Sequence, residues 1–194
     1  MKKYLLTTLA VLAVAGFVCA QDISQARKSY ASAMYQQAAD QFAPFTKSKD
    51  ENISWEARLK TVLAYNYLGQ FDNALKTIFS YPAAKDTLWN ARALYIKASL
   101  LNYNNSIYES PDLEETQTDP TAFTYEQKEA EVKKAYSALW DMRKDLVNFP
   151  SKQSADYLKI NYSNLNPVLQ PSLFDFFANN WQNNNTVSKE KILE

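Results

Sequence analysis

The sequence predicts an all-α fold, made of antiparallel helix pairs stacked into a short right-handed solenoid. Three observations predict it. Glycine is nearly absent, with only Gly16 and Gly69 among 194 residues. Hairpins and bulges of a β fold call on the positive φ that glycine adopts without strain, and ordinary chains carry about 7% glycine. Trp55-Glu56-Ala57-Arg58 recurs as Trp89-Asn90-Ala91-Arg92 after 34 residues, and Ala64 recurs as Ala98 at the same interval. Such a period fits one helix–turn–helix unit. Finally, Val132, Ala135, Tyr136, Leu139, Arg143, Leu146 and Phe149 fall at helical spacing, and five of the apolar side chains make one stripe.

Residues 1–20 read as a secretory signal peptide. Lys2 and Lys3 form a basic start, 5–18 is an apolar run broken by Thr7, Thr8 and Gly16, and Val18-Cys19-Ala20 supplies compact residues before Gln21. The expected location is therefore outside the cytoplasm, in the periplasm or cell envelope. Cleavage after Ala20 leaves no transmembrane span, the run itself being short for one. A lipid anchor at Cys19 is the alternative processing.

Helix pairs are expected over 21–105, with helices near 23–33, 35–48, 54–68, 71–80 and 87–103. Ser54 and Thr87 are the expected N-caps. Gly69 stands where the third helix must stop, and Ala33 occupies the matching position after the first. Residues 106–123 form a loop with Pro111, Pro120 and the acidic residues Glu109, Asp112, Glu114, Glu115 and Asp119. A C-terminal helical segment follows over 124–182. Thr124 and Gln127 have the spacing of a capping box that opens a long helix to about 148. A short helix is expected over 154–162, an extended connection over 164–171, and a final helix capped by Ser172 that runs through Trp181. Residues 183–194 read as a flexible tail.

Composition narrows the chemistry. The chain has no His, and its one Cys lies in the leader. Without the leader, nineteen basic residues face twenty-one acidic ones. That near-neutral balance gives no electrostatic case for nucleic acid. Imidazole bases, thiolate nucleophiles and Cys/His zinc sites are closed. The expectation is a protein that is not an enzyme and takes no cofactor or metal. The acidic loop reads as a solvated stretch, with calcium binding as the competing reading. A carboxylate-pair glycosidase is the remaining enzymatic route.

The pattern Tyr65, Gly69, Phe71, Ala74, Ile78 resembles the tetratricopeptide repeat, and Tyr35, Ala38 and Phe42 resemble the second half of an earlier unit. That resemblance implies small residues where helices touch, at Ala38, Ala64, Ala74 and Ala98. It also implies a groove lined by the first helix of each pair, with Arg58, Thr61, Tyr65, Arg92, Tyr95 and Ser99 as partner contacts. A second resemblance covers about 125–181, through Tyr136-Ser137-Ala138-Leu139-Trp140-Asp141-Met142-Arg143, Phe149-Pro150, Asp156-Tyr157-Leu158 and 169–178. These segments resemble the helical N-terminal region of large bacterial α2-macroglobulin-like proteins. The resemblance implies an accessory part of a protease-inhibitor system, with Phe176 at a junction to a neighbouring domain. The family's thioester needs a Cys that this chain lacks outside its leader. A free-standing envelope adaptor that holds a protein or peptide is the alternative function.

Overall fold

The structure is a computed structural model. It describes residues 22–104, 118–160 and 166–183, with the side chains of 103, 104 and 181–183 left out. The leader with Lys2, Lys3 and Cys19, the tail from 184, and Glu109, Asp112, Glu114 and Glu115 lie outside the described residues. Among the described residues every regular element is helical. The α-helices are α1 (Ile23–Ala31), α2 (Tyr35–Phe42), α3 (Glu51–Tyr67), α4 (Phe71–Ser80), α5 (Thr87–Asn104), α6 (Tyr125–Asp141), α7 (Arg143–Leu146), α8 (Ala155–Leu158) and α9 (Leu173–Asn183). Three 3-10 turns, Ala43–Lys47, Ser151–Ser154 and Pro167–Leu169, join them. No described helix is long and apolar enough to cross a membrane.

From α1 to α6 each helix packs on its successor in the chain. Ala38, Ala64, Ala74 and Ala98 have no exposed surface, so the positions expected to let helices approach do lie at contacts. Most of the apolar interior is one cluster from α3 to α9, built around Leu59, Leu63, Tyr95, Ile96, Tyr136 and Phe176. A smaller one, Ala26, Ala38, Phe42 and Ala57, joins α1 and α2 to α3.

The helix ends follow local hydrogen bonding. After α1 the N–H groups of Ser32, Ala33 and Met34 donate to the carbonyls of Lys28, Tyr30 and Ser29. After α3 those of Leu68, Gly69 and Gln70 donate to Ala64, Asn66 and Tyr65, the same pattern. It is the Schellman end, which needs one left-handed residue. Gly69 supplies it at φ 71°, and Ala33 adopts it at φ 57° despite its Cβ.

The expected caps Ser54 and Thr87 give way to aspartates. Asp50 accepts from the N–H groups of Asn52 and Ile53 at 2.9 and 3.2 Å. Asp86 accepts from the Trp89 N–H at 2.9 Å. A carboxylate binds the free N–H groups and the positive helix end more strongly than a hydroxyl does. Ser54 is buried and donates to the Thr46 carbonyl instead, at 2.7 Å. The long helix expected to reach 148 breaks at Met142, which lets Leu146 bury fully and frees the Phe149 carbonyl to accept from the Leu173 N–H at 2.7 Å. The Thr124–Gln127 capping box is present, and Ser172 and Asp175 cap α9 reciprocally. The expected extended connection contains the Pro167–Leu169 turn.

Candidate functional site

The repeated Trp-X-X-Arg motif works as a clamp. Three residues on a helix bring the two side chains to one face. In α3 the Arg58 guanidinium lies 4.9 Å from the Trp55 ring and 5.2 Å from Tyr81, and Nε donates to the Thr46 carbonyl at 3.0 Å. In α5 the Arg92 guanidinium lies 4.4 Å from Trp89 and 4.6 Å from Tyr157. Its Nε donates to Ser154 Oγ and its Nη2 to the Gln153 carbonyl, both at 3.0 Å. Each arginine therefore holds a carbonyl of a 3-10 turn, Ala43–Lys47 for Arg58 and Ser151–Ser154 for Arg92. The turn on Arg58 arrives from the N-terminal side, and the turn on Arg92 from the C-terminal third.

That second docking changes the expected partner groove. Arg92 is buried under the turn just described. Tyr95 is buried with Phe176 and Phe177 ring centroids 5.3 and 5.4 Å away, and its hydroxyl accepts from Asn180 Nδ2 at 2.8 Å. Ser99 is buried, and so is Thr61, whose hydroxyl donates to the Ala57 carbonyl at 2.8 Å. Arg58 and Tyr65 are half-buried, Tyr65 against the main core. Of the six groove residues, four are thus inside the fold: Thr61 on α3, and Arg92, Tyr95 and Ser99 on α5, where the Ser151–Ser154 turn and α9 cover Arg92 and Tyr95. Phe176 also departs from its expected role: it has no exposed surface. Phe174 takes the half-exposed place, 5.7 Å from Trp140 of α6. The Trp181 side chain lies outside the described residues.

What remains open is the end of the first-helix face at α1 and α3. A cavity of about 520 Å³ lies there, lined by Arg27, Tyr30 and Ala31 of α1, Tyr35 and Phe42 of α2, Glu56, Lys60 and Tyr67 of α3, and Asp156 and Lys159 around α8. Glu56, Lys60 and Tyr67 share a face of α3 by their spacing of four and seven residues. Arg27 meets Glu56 with two parallel hydrogen bonds of 2.7 and 2.6 Å. Lys60 is buried, its Nζ 4.1 Å from the centre of the Tyr30 ring, 4.8 Å from that of Tyr157 and 3.5 Å from Asp156 Oδ2. Burial lowers the Lys60 pKa against the pull of Asp156, and burial raises those of Tyr30 and Tyr157. Tyr35 and Tyr67 stack at 4.7 Å, and the Tyr67 hydroxyl donates to the Lys159 carbonyl at 2.9 Å. The Tyr30 hydroxyl is buried and meets no partner in hydrogen-bonding geometry.

None of these cavity residues was singled out from the sequence as a contact. The available signal was Lys60 itself, a cation inside Leu59-Lys60-Thr61-Val62-Leu63-Ala64, where the other five residues are buried. A charge in such a run must find a counter-charge, aromatic faces or an opening. Of the acidic-loop residues, Asp119 is described: it accepts from the Thr121 N–H and hydroxyl and pairs with Lys76 at 3.2 Å. Among the described residues no group of three or more metal-ligating side chains occurs.

Among the described residues, fold and site together define an all-helical arrangement whose C-terminal helices close most of one helix face and leave an aromatic, cation-bearing cavity at its end. No family model, curated protein or solved structure matches the chain.

Proposed function

We propose that this is an exported, non-catalytic protein-interaction module built of tetratricopeptide-like helix pairs in a short right-handed solenoid. We propose further that it forms part of, or acts beside, an envelope protease-inhibitor system of the α2-macroglobulin type. One observation carries the reading: the Ser151–Ser154 turn and α9, both within the stretch that resembles the macroglobulin-associated helical region, dock on α5 through Arg92 and Tyr95. The repeat-like part and the macroglobulin-like part therefore share a core. The matched helix ends after α1 and α3, and the two Trp-X-X-Arg clamps, support the repeat. With the α5 stretch of the groove occupied, recognition of a protein partner falls to the exposed rim beside its open end, at Ala31.

A photo-crosslinking residue at exposed Ala31, beside the cavity, tests this in intact cells, with exposed Lys144 as the control site. The expected adduct is a macroglobulin-type chain carrying β-domains, formed from Ala31 and not from Lys144. Adducts only with envelope-assembly factors would favour the free-standing adaptor. Mass spectrometry of the same material should find Gln21 at the N-terminus; a lipid on Cys19 would make the protein membrane-anchored.

A further inference from the structure

We propose that the cavity between α1, α3 and α8 is a binding site for a small, flat organic monocarboxylate, its anionic group seated between Lys60 and the Tyr30 hydroxyl. The charge balance points to a single negative charge. Arg27, Lys60 and Lys159 face Glu56 and Asp156, leaving one cation in excess. Arg27 is committed to Glu56 through both hydrogen bonds, so no free guanidinium fork is offered to a phosphate. Lys60 is less well matched. Its nearest carboxylate oxygen is 3.5 Å away, on a side chain 79% exposed, while Lys60 itself is only 7% exposed. An ammonium has three N–H donors, and a buried one gains most from an acceptor that enters its own dry surroundings.

The Tyr30 hydroxyl supplies a second donor. It is buried, its near hydroxyl neighbour Tyr67 lies outside good hydrogen-bonding geometry, and its ring lies against Lys60. The ammonium lies over the ring that carries this hydroxyl, so one carboxylate can address both groups. Burial depresses the Lys60 ammonium, and an anion beside it would reverse that.

The walls set the shape. Tyr30, Tyr35 and Tyr67 present aromatic surfaces, which favour a planar body. The groove does not continue along α5, where the Ser151–Ser154 turn and α9 lie on Arg92 and Tyr95. An extended peptide therefore cannot run through, and a compact ligand fits the roughly 520 Å³ available.

Calorimetric titration of the purified full chain tests the assignment. The probes are benzoate, its uncharged counterpart benzamide, inorganic phosphate, and an acetylated tripeptide ending in phenylalanine. Benzoate should bind with a Kd on the order of 1 mM or tighter, and benzamide at least about tenfold more weakly. Lys60→Met, which keeps the apolar stem, should weaken benzoate at least about tenfold, and Tyr30→Phe by a factor of about three to ten. Lys28→Met, away from the cavity, should leave binding unchanged. Should Lys60→Met fail to fold, Tyr30→Phe and the acid–amide pair still decide. Equal binding of benzamide, benzoate binding unaffected in Tyr30→Phe, tighter binding of phosphate or of the tripeptide, or no benzoate binding at about 10 mM would each overturn the proposal. The titration uses the isolated chain, so its failure is distinct from a failure to find the crosslinked partner.

Discussion

Ala33→Gly should stabilise the protein. Ala33 sits at φ 57° in the same hydrogen-bonded helix end that Gly69 completes at φ 71°. The left-handed region costs an L-residue with a Cβ about 1–2 kcal/mol. Glycine removes that strain but gives the unfolded chain more freedom, worth about 0.4–1 kcal/mol. The difference is a net gain of roughly 0.5–1 kcal/mol, or about 1–4 °C in Tm for a chain of this size. Ala33 is exposed, so no packing is lost. The converse change is equally well defined. A Cβ built at Gly69 meets nothing within 4 Å, so Gly69→Ala should cost the same net difference with opposite sign, roughly 0.5–1 kcal/mol. Urea unfolding of the two variants and their double mutant measures both effects, with an unchanged slope as the sign that only stability moved. A destabilised Ala33→Gly, or a neutral Gly69→Ala, would refute the shared left-handed end and with it the equivalence of the two turns.

Three more expectations follow from the closed groove and the buried tyrosines. Phe176→Ser should cost about 3–5 kcal/mol in chemical denaturation, because the ring is fully buried beside Tyr95 and Phe177; a change under about 1 kcal/mol would favour the junction contact expected from sequence over a core role. Arg92→Met should cost about 2–4 kcal/mol and speed amide exchange over 151–158, while Arg58→Met, half-buried and holding one carbonyl, should cost about 1 kcal/mol; equal losses would mean the two clamps bear equal loads. Stability should be full below pH 10 and fall above it: unfolded tyrosines ionise near 10.0, Tyr95 is pushed up to about 12, and burial also holds Tyr30 and Tyr157 neutral, so the fold keeps protons that the unfolded chain has lost. Each contributes up to about 1.4 kcal/mol per pH unit. Lys60, with its lowered pKa, opposes this only until the unfolded lysine has deprotonated near 10.5. Tyrosinate absorbance should appear together with the loss of helical circular dichroism, and free titration of all tyrosines in the folded state would contradict it.

What could be read from sequence was local. Gly69, the Ala33 equivalence, the Thr124–Gln127 box and the Ser172 cap each depend on residues within about five positions of one another. The caps expected at Ser54 and Thr87 fail for a tertiary reason and a chemical one: the Thr46 carbonyl claims the Ser54 hydroxyl, and an aspartate precedes each helix. Long-range closure was out of reach. Periodicity places Arg92, Tyr95 and Ser99 on one face of α5, but it cannot say that Ser154, Phe176 and Asn180 cover that face. Leu173, Phe176, Phe177 and Asn180 share the buried side of α9, and the side facing Tyr95 follows from the break at Met142 and the turn at Ser151, which no helical pattern specifies. The cavity was hidden for the same reason, since its walls come from residues near 30, 60 and 156.

The segment lying on α5 is a ligand tied to its own receptor. Arg92 reaches Ser154 across 62 residues, Tyr95 meets Asn180 across 85 and Tyr67 meets Lys159 across 92. Because α6 in between is itself packed on α5, the free part of that tether is short, and it keeps the bound piece at an effective concentration on the order of 1 mM before any docking energy is counted. An external peptide seeking the same α5 surface must compete with that supply and also displace the rings of Phe176 and Phe177 from Tyr95. Tight occupancy of α5 from outside therefore requires release of the C-terminal segment first, whereas the cavity beside Lys60 is accessible without it.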